Sequence, residues 1–148
     1  MHTMTYRKAT KADYPLLGAL NHQLIRDEGH RNPMTVPELT ARMRRWVGTG
    51  EYTARMFEED GKLVAYALYR EIADEVYLRH LFVVRGRRRE GIGRRVMQLL
   101  REEIWPRGRR MTVEALCANT AGVAFWKAMG YQEYSVFLEI MPEKRPKP

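Results

Sequence analysis

Apolar positions along this chain fall into short, evenly punctuated segments, and their period changes from one segment to the next. Residues 5–9 alternate as a short strand. Tyr14, Leu17, Leu20, Leu24 and Ile25 then recur at helical spacing and predict a helix over 11–27, opened by Thr10 with Asp13 and broken by Gly29-His30-Arg31-Asn32-Pro33. Thr35 and Glu38 have capping-box spacing with Pro37 just inside, so a second helix runs to about residue 47 and stops at Gly48 and Gly50. Strands follow at 52–58 and 63–70, with Asp60-Gly61 as the hairpin signal between them. After the turn at Ala73-Asp74 come a strand over 75–84, a helix over 91–105, a strand over 111–116, a helix over 121–129 stopped by Gly130, and a last strand over 134–140. Residues 142–148 have the composition of a disordered tail. No internal repeat or linker interrupts this order, which predicts one α/β domain over residues 1–148: an antiparallel meander continued by crossover helices into a mixed sheet.

The junction over residues 79–95 carries the chemistry. The apolar run Leu81-Phe82-Val83-Val84 reads as a strand, a basic loop with Gly91 and Gly93 follows, and Val96, Leu99, Leu100 and Ile104 start a helix. A helix's first turn leaves N–H groups unpaired and its dipole favours negative charge there, so strand, glycine turn and helix start together make an anion site. Gly86 and Gly91 have the spacing of a nucleotide P-loop, but Ile92-Gly93 stands where Lys-Ser/Thr is required. A dinucleotide fingerprint needs a third glycine where Val96 stands. Both readings fail, and Arg88-Arg89-Glu90-Gly91-Ile92-Gly93, an R-x-x-G-x-G pattern, remains.

Composition narrows the classes. With 148 residues, 45% hydrophobic and 30% charged, the chain can bury a normal core. No stretch approaches the roughly 20 apolar residues of a membrane span, and the start of the chain has no apolar signal segment, so the cytoplasm is the expected compartment. The single Cys117 excludes an intrachain disulfide and a multi-cysteine metal site, and it reads as a small buried apolar side chain. The net charge is +8, with six arginines between Arg85 and Arg95. This excess suits a solvated surface, nucleic acid or a polyanionic cofactor. No aromatic residue interleaves the cluster to stack bases, which weakens nucleic acid, whereas guanidinium forks match phosphate oxygens.

The R-x-x-G-x-G loop resembles the pyrophosphate loop of the GCN5-related N-acetyltransferases (GNAT). A second stretch, from Asn119 through Phe125-Trp126 to Gly130-Tyr131, resembles that superfamily's other signature, and the element order matches over roughly residues 5–140. The resemblance implies the acyl-CoA N-acyltransferase fold: a central mixed six- to seven-stranded sheet flanked by four helices, with the fourth and fifth strands splayed to admit the cofactor arm. It implies acetyl-CoA as cofactor. Backbone groups of Leu81, Phe82 and Val83 would pair with the pantetheine amides. The N–H groups of Arg89, Glu90, Gly91, Ile92, Gly93 and Arg94, with Arg88 opening the motif, would hold the pyrophosphate. Asn119 would bond the pantetheine arm, alongside or instead of capping its helix. Trp126 stands where many members have a tyrosine that protonates the leaving thiolate, and an indole is no usable acid. Tyr131 and Tyr134 are substitutes if the fold brings them near. A thiol with a pKa near 8.5 can also leave unaided.

Amine acylation needs a group that takes the ammonium proton. Glu114 leads, because its neighbours Val113 and Ala115 point to the opposite face of their strand. Glu75, opening the preceding strand, is the second candidate, and His80 reads as a structural histidine. Asp27, Glu28 and His30, at the end of the first long helix, are candidates for receiving the acceptor. The expected activity is therefore transfer of an acetyl group to a primary amine of a small molecule or peptide by direct attack in a ternary complex. An RNA- or ribosome-associated module and an acyl-CoA-binding protein without turnover are the competing expectations. No metal site, membrane contact or nucleic-acid partner is expected. Homodimers occur in the superfamily, but no sequence feature marks an interface.

Overall fold

A computed structural model describes residues 3–143. Eleven segments of regular structure alternate as the apolar pattern predicts, with shifts at their ends. β1 is Met4–Lys8, followed by a 3-10 turn Lys11–Asp13 and helices α1 (Tyr14–Glu28) and α2 (Val36–Gly48). The meander comprises β2 (Thr53–Glu59), β3 (Lys62–Ile72) and β4 (Glu75–Val83). Helix α3 (Ile92–Leu99) runs into a π-turn (Leu100–Ile104), then β5 (Arg110–Val113) and α4 (Thr120–Ala128) complete the set.

Local chemistry accounts for the boundaries. Glu38 N–H donates to the Thr35 hydroxyl and Thr35 N–H donates to the Glu38 carboxylate at 3.0 Å, so the capping box forms. Asp60 and Gly61 both take positive φ, 54° and 75°, which is what a two-residue hairpin turn between twisted strands requires. The helix expected over 91–105 is divided because Trp105 N–H reaches back to the Leu100 carbonyl at 2.7 Å, widening the last turn.

The sheet has five strands in the order β1-β2-β3-β4-β5, antiparallel except for the parallel β4–β5 pair. Helices α1 and α2 cover one face over Tyr66, Leu68, Met56 and Phe82, while α3 and the π-turn cover the other over Ala67, Val76 and Leu78. A bulge makes this division possible. Leu68 pairs with His80 and Tyr69 with Leu78, so Arg79 is the extra residue and β4 changes faces there.

Two expectations need correction. Residues 134–140 form no strand: the segment has no ladder partner among the described residues, where the sheet has five strands rather than six or seven. The alternation of its side chains is strand-like, but a strand exists only where another edge accepts its backbone. Cys117 is exposed, not buried, because β5 stops at Val113 and the chain leaves the sheet before reaching it. Of the tail expected to be disordered, residues 144–148 lie outside the described residues.

Candidate active site

The site begins where the sheet opens. β4 and β5 share a parallel ladder from Glu75–Arg110 to Leu78–Val113 and no further. Beyond it, the edge of β4 over Arg79–Val83 that faces away from β3 has no strand beside it among the described residues, as a cofactor arm pairing along Leu81, Phe82 and Val83 would need. At its end the chain turns through three residues of positive φ: Gly86 (89°), Arg89 (66°) and Gly91 (80°). Gly91 is the N-cap of α3 and no side chain caps the helix. The first helical bond runs from Arg95 N–H to the Gly91 carbonyl, so the N–H groups of Ile92, Gly93 and Arg94 point out of the helix end without a partner among the described residues. Gly93 has a second reason to be glycine: a Cβ there would stand 3.2 Å from the Phe125 ring, so α3 and α4 pack through this position.

The arginines divide the work. Asp27, at the end of α1, accepts from Arg85 at 2.8 Å and Arg88 at 2.6 Å, using both oxygens. Burial alone would raise the Asp27 carboxyl, but the two guanidiniums outweigh it and hold it below its ordinary value. Arg88 also donates to the Val83 carbonyl at 3.1 Å. Arg87 bridges Glu59 at 2.6 Å and Glu90 at 3.2 Å. Thus Asp27, a candidate for binding the acceptor, and Arg88, a candidate for the pyrophosphate, hold each other and fasten the glycine loop to α1. Arg89 and Arg94 have no ion pair among the described residues and remain for an anion. Uncapped N–H groups, two unpaired guanidiniums and the bare β4 edge together fit coenzyme A.

The opposite wall comes from the α1/α2 face. Glu28 is half-buried, its carboxyl raised by burial and by the charge of Asp27, and His30 Nε2 lies 3.6 Å from it. His80 is buried with Nδ1 3.2 Å from the Tyr66 hydroxyl. Burial, then the charges of Arg42 and Arg79, push its pKa down to about 3, so it is neutral and a feeble base. Arg42 and Arg79 both stack on Trp46, at 4.2 Å and 4.5 Å from the ring centre. Arg42 donates to Asn21 and Arg79 to the Tyr52 hydroxyl. Neither has a carboxylate partner among the described residues. The sequence reading missed this pair, although two arginines near a tryptophan on a capped helix and a bulged strand give little signal until the fold joins them.

Glu114 is the first residue past the β4–β5 ladder and is exposed. Met111 and Val113 pack toward α3 and α4, which leaves Glu114 on the side of Tyr77. Burial raises the Tyr77 hydroxyl, and the negative charge of Glu114 raises it further. Glu75 lies at the other end of the ladder, ion-paired with Arg110 at 3.2 Å, so the structure does not bring it to the opening. Tyr131 lies three residues past the C-terminal end of α4, and burial pushes its pKa up to about 12. Tyr134 lies exposed over Arg110, its ring centre 4.9 Å from the guanidinium carbon. Trp126 stacks edge-on with Phe125 at 4.9 Å and Tyr131 at 5.6 Å. Asn119 caps α4, its Oδ1 accepting from Gly122 N–H at 3.1 Å, which leaves its amide N–H groups for a second partner.

With this geometry in view, the relatives are informative. The family model described as "Acetyltransferase (GNAT) family" matches residues 21–131. The [ribosomal protein bS18]-alanine N-acetyltransferase of Escherichia coli K12 is 28% identical over 79 residues, which is 53% of each chain. The chain thus spans about half the length of the curated relatives it matches. Among solved structures, a predicted acetyltransferase from Clostridium acetobutylicum with acetyl-CoA superposes with a TM-score of 0.73 at 21% identity, covering 94% of this chain and 96% of that one. The aminoglycoside N-acetyltransferase AAC(6')-Iy in complex with CoA gives 0.73 at 16% identity, covering 96% of both.

Proposed function

The chain belongs to the GNAT acetyltransferase family, and from that premise we propose that it transfers an acetyl group from acetyl-CoA to a primary amine by direct attack in a ternary complex. One observation carries the reading: the β4–β5 ladder ends at Leu78–Val113, so a bare strand edge leads straight to an uncapped helix N-terminus. The N–H groups of Ile92, Gly93 and Arg94, with the Arg89 and Arg94 guanidiniums, would hold the pyrophosphate, and Leu81–Val83 with the Asn119 amide would hold the pantetheine arm. Bound acetyl-CoA supplies a thioester carbonyl open to nucleophilic attack. Glu114, beside the mouth of the opening, takes the proton that the acceptor ammonium must lose, directly or through water. Trp126 donates no proton, so the thiolate departs without a phenol behind it.

The acceptor is the finer part of this reading. Arg42 and Arg79 lie on the α1/α2 wall without carboxylate partners among the described residues, and they favour an acceptor that carries an anionic group beside its amine. Polycationic acceptors fit that wall poorly.

A thermal melt with and without acetyl-CoA tests the cofactor: at about 100 times its Kd a ligand adds roughly 2.7 kcal/mol. No shift refutes the reading. Free-thiol release across amines matched except for a carboxylate tests the acceptor. Arg79→Gln should erase a preference for the carboxylate-bearing members. A panel led by polycations overturns the acceptor class and leaves the cofactor intact. Glu114→Gln should lower kcat about 10²-fold or more, most at low pH, with cofactor affinity unchanged. Wild-type kcat would move proton removal elsewhere.

A further inference from the structure

The arginines that follow β4 fall into two groups. Arg85, Arg87, Arg88 and Arg110 are each held by a carboxylate. Arg94, Arg101, Arg107 and Arg109 have no carboxylate partner among the described residues, and all four line one open cavity of about 910 Å³. Its walls are α3 with the π-turn, the loop that leads into β5, and the C-terminal end of α4. Glu102 is the only acid in the lining. Arg101 donates to the Met129 carbonyl at 3.0 Å and Arg109 to the Ala73 carbonyl at 2.9 Å. A carbonyl fixes a guanidinium in place without neutralising it, and the remaining N–H groups stay available.

Between these charges the lining is apolar. Met97, Met129 and Trp105 belong to the packed core, Met111 is partly buried against it, and Ala128 is exposed. Methionine adapts to the shape of what it meets, which suits a floor that receives a side chain. A cavity of this size exceeds what one side chain fills and has room for the short stretch of backbone that carries it. Like charges gathered without counter-charges raise the energy of the folded chain, and an acidic partner reverses that. A nucleic acid strand fits less well. Its phosphates would meet the arginines, but a base needs a free ring face to stack on. Trp105, the only aromatic residue in the lining, is 5% exposed and lies edge-on to Tyr69 at 5.5 Å.

We propose that this cavity docks an acidic protein segment built around one apolar residue. The apolar side chain enters over Met111 beside Ala128, and Asp or Glu carboxylates on either side of it pair with Arg101, Arg107 and Arg109. Guanidinium forks match carboxylates in bidentate geometry, so the rim sets the register of the segment while the floor selects its anchor. Arg94 lines the cavity too, but it is also assigned to the pyrophosphate, so the docking contacts are sought among the other three. Binding of this kind weakens with salt at the rim and less so at the floor.

The test is fluorescence anisotropy of the full chain with a short peptide of glutamates around a central leucine. Its amino end is blocked by the fluorophore, so it cannot serve as an acyl acceptor. Wild type, Arg107→Glu and Ala128→Phe are compared at low salt and at about 0.15 M. Both positions are exposed, so both variants should melt at the wild-type temperature. The expected result is saturable binding by the wild type. Arg107→Glu, which reverses one rim charge, should weaken it about tenfold or more. Ala128→Phe, which fills the cavity and leaves the charge unchanged, should weaken it by a similar factor, as should serine in place of the peptide's leucine. Absence of saturable binding at low salt overturns the proposal. So does affinity that survives both Ala128→Phe and loss of the leucine, because the arginines then act only as a charged surface. An oligonucleotide of equal charge that binds more tightly than the peptide, and loses affinity in Arg107→Glu, overturns the partner class in favour of nucleic acid.

Discussion

His80 gives the sharpest quantitative test of the interior. It is buried against Tyr66 and Trp46, with Arg42 and Arg79 nearby and no carboxylate bonded to it among the described residues. Its folded pKa is about 3 against an ordinary 6.5. The folded value lies below the unfolded one, so between them the unfolded chain binds a proton that the folded chain refuses. Stability from this residue is therefore complete above about pH 6.5 and declines as pH falls toward 3. One proton is at stake, so the slope approaches about 1.4 kcal/mol per pH unit, and lowering the pH from about 7.5 to about 5 should cost about 2 kcal/mol. Urea unfolding of the wild type and of His80→Asn at those two pH values isolates the effect. Asn keeps an acceptor near the Nδ1 position and has no proton to gain. Glu28, His30 and the arginines are common to both proteins and cancel in the comparison. The variant should start from a lower stability but lose about 2 kcal/mol less on acidification. Equal acid sensitivity in the two proteins would mean that His80 is hydrated or paired, and the description of this wall would be wrong.

Other positions give simpler tests. Gly18→Ala puts a Cβ 2.9 Å from the Thr40 backbone. It should cost about 1–3 kcal/mol in a thermal or urea melt, and trimming Thr40 to Ala should not restore it because backbone remains in the way. Gly91→Asp should abolish the acetyl-CoA-dependent thermal shift, since it sets a carboxylate against the pyrophosphate at a residue whose φ of 80° already disfavours a side chain. Retained binding would sink the loop assignment. Trp126→Tyr should leave free-thiol release at least as fast as in the wild type, with a small loss of stability from its contacts with Phe125 and Tyr131. A large loss of turnover at intact stability would mean that the indole touches a reactant.

The parts of this molecule that the sequence revealed are those governed by neighbours in the chain. Thr35 and Glu38 lie three apart and form their box, and Asp60-Gly61 makes its turn. The glycine loop lies between β4 and α3 because strand period, glycine and helix period follow one another directly. The parts it concealed are set by contacts between distant positions. Nothing near Asp27 in the sequence indicates that Arg85 and Arg88 will take both its oxygens, so a carboxylate that looked free to receive an amine became a strut for the loop. Glu75 opens β4 and Glu114 directly follows β5, but only parallel register puts one at the mouth and the other at the far end beside Arg110. The terminal segment was legible as a strand and illegible as an unpaired one, since pattern specifies faces and not partners.

The bulge at Arg79 shows how much one residue of register decides. Without it, strict alternation would carry His80 and Phe82 to the side of Val76 and Leu78, under α3, and would turn Leu81 and Val83 toward α1 and α2. With it, His80 and Phe82 join Tyr66 and Leu68 beneath the first two helices, while Leu81 and Val83 pack beneath α3. The bulge lies immediately past Leu78, the last β4 residue paired to β5. A bulge bends its strand and increases its local twist, so the residue that changes the faces of β4 stands at the point where β4 parts from β5. The same extra residue carries the guanidinium that stacks on Trp46. Opening of the sheet, the neutral histidine below it and the cationic wall beside it therefore share one backbone irregularity, and a change that restored regular pairing at Arg79 would disturb all three together.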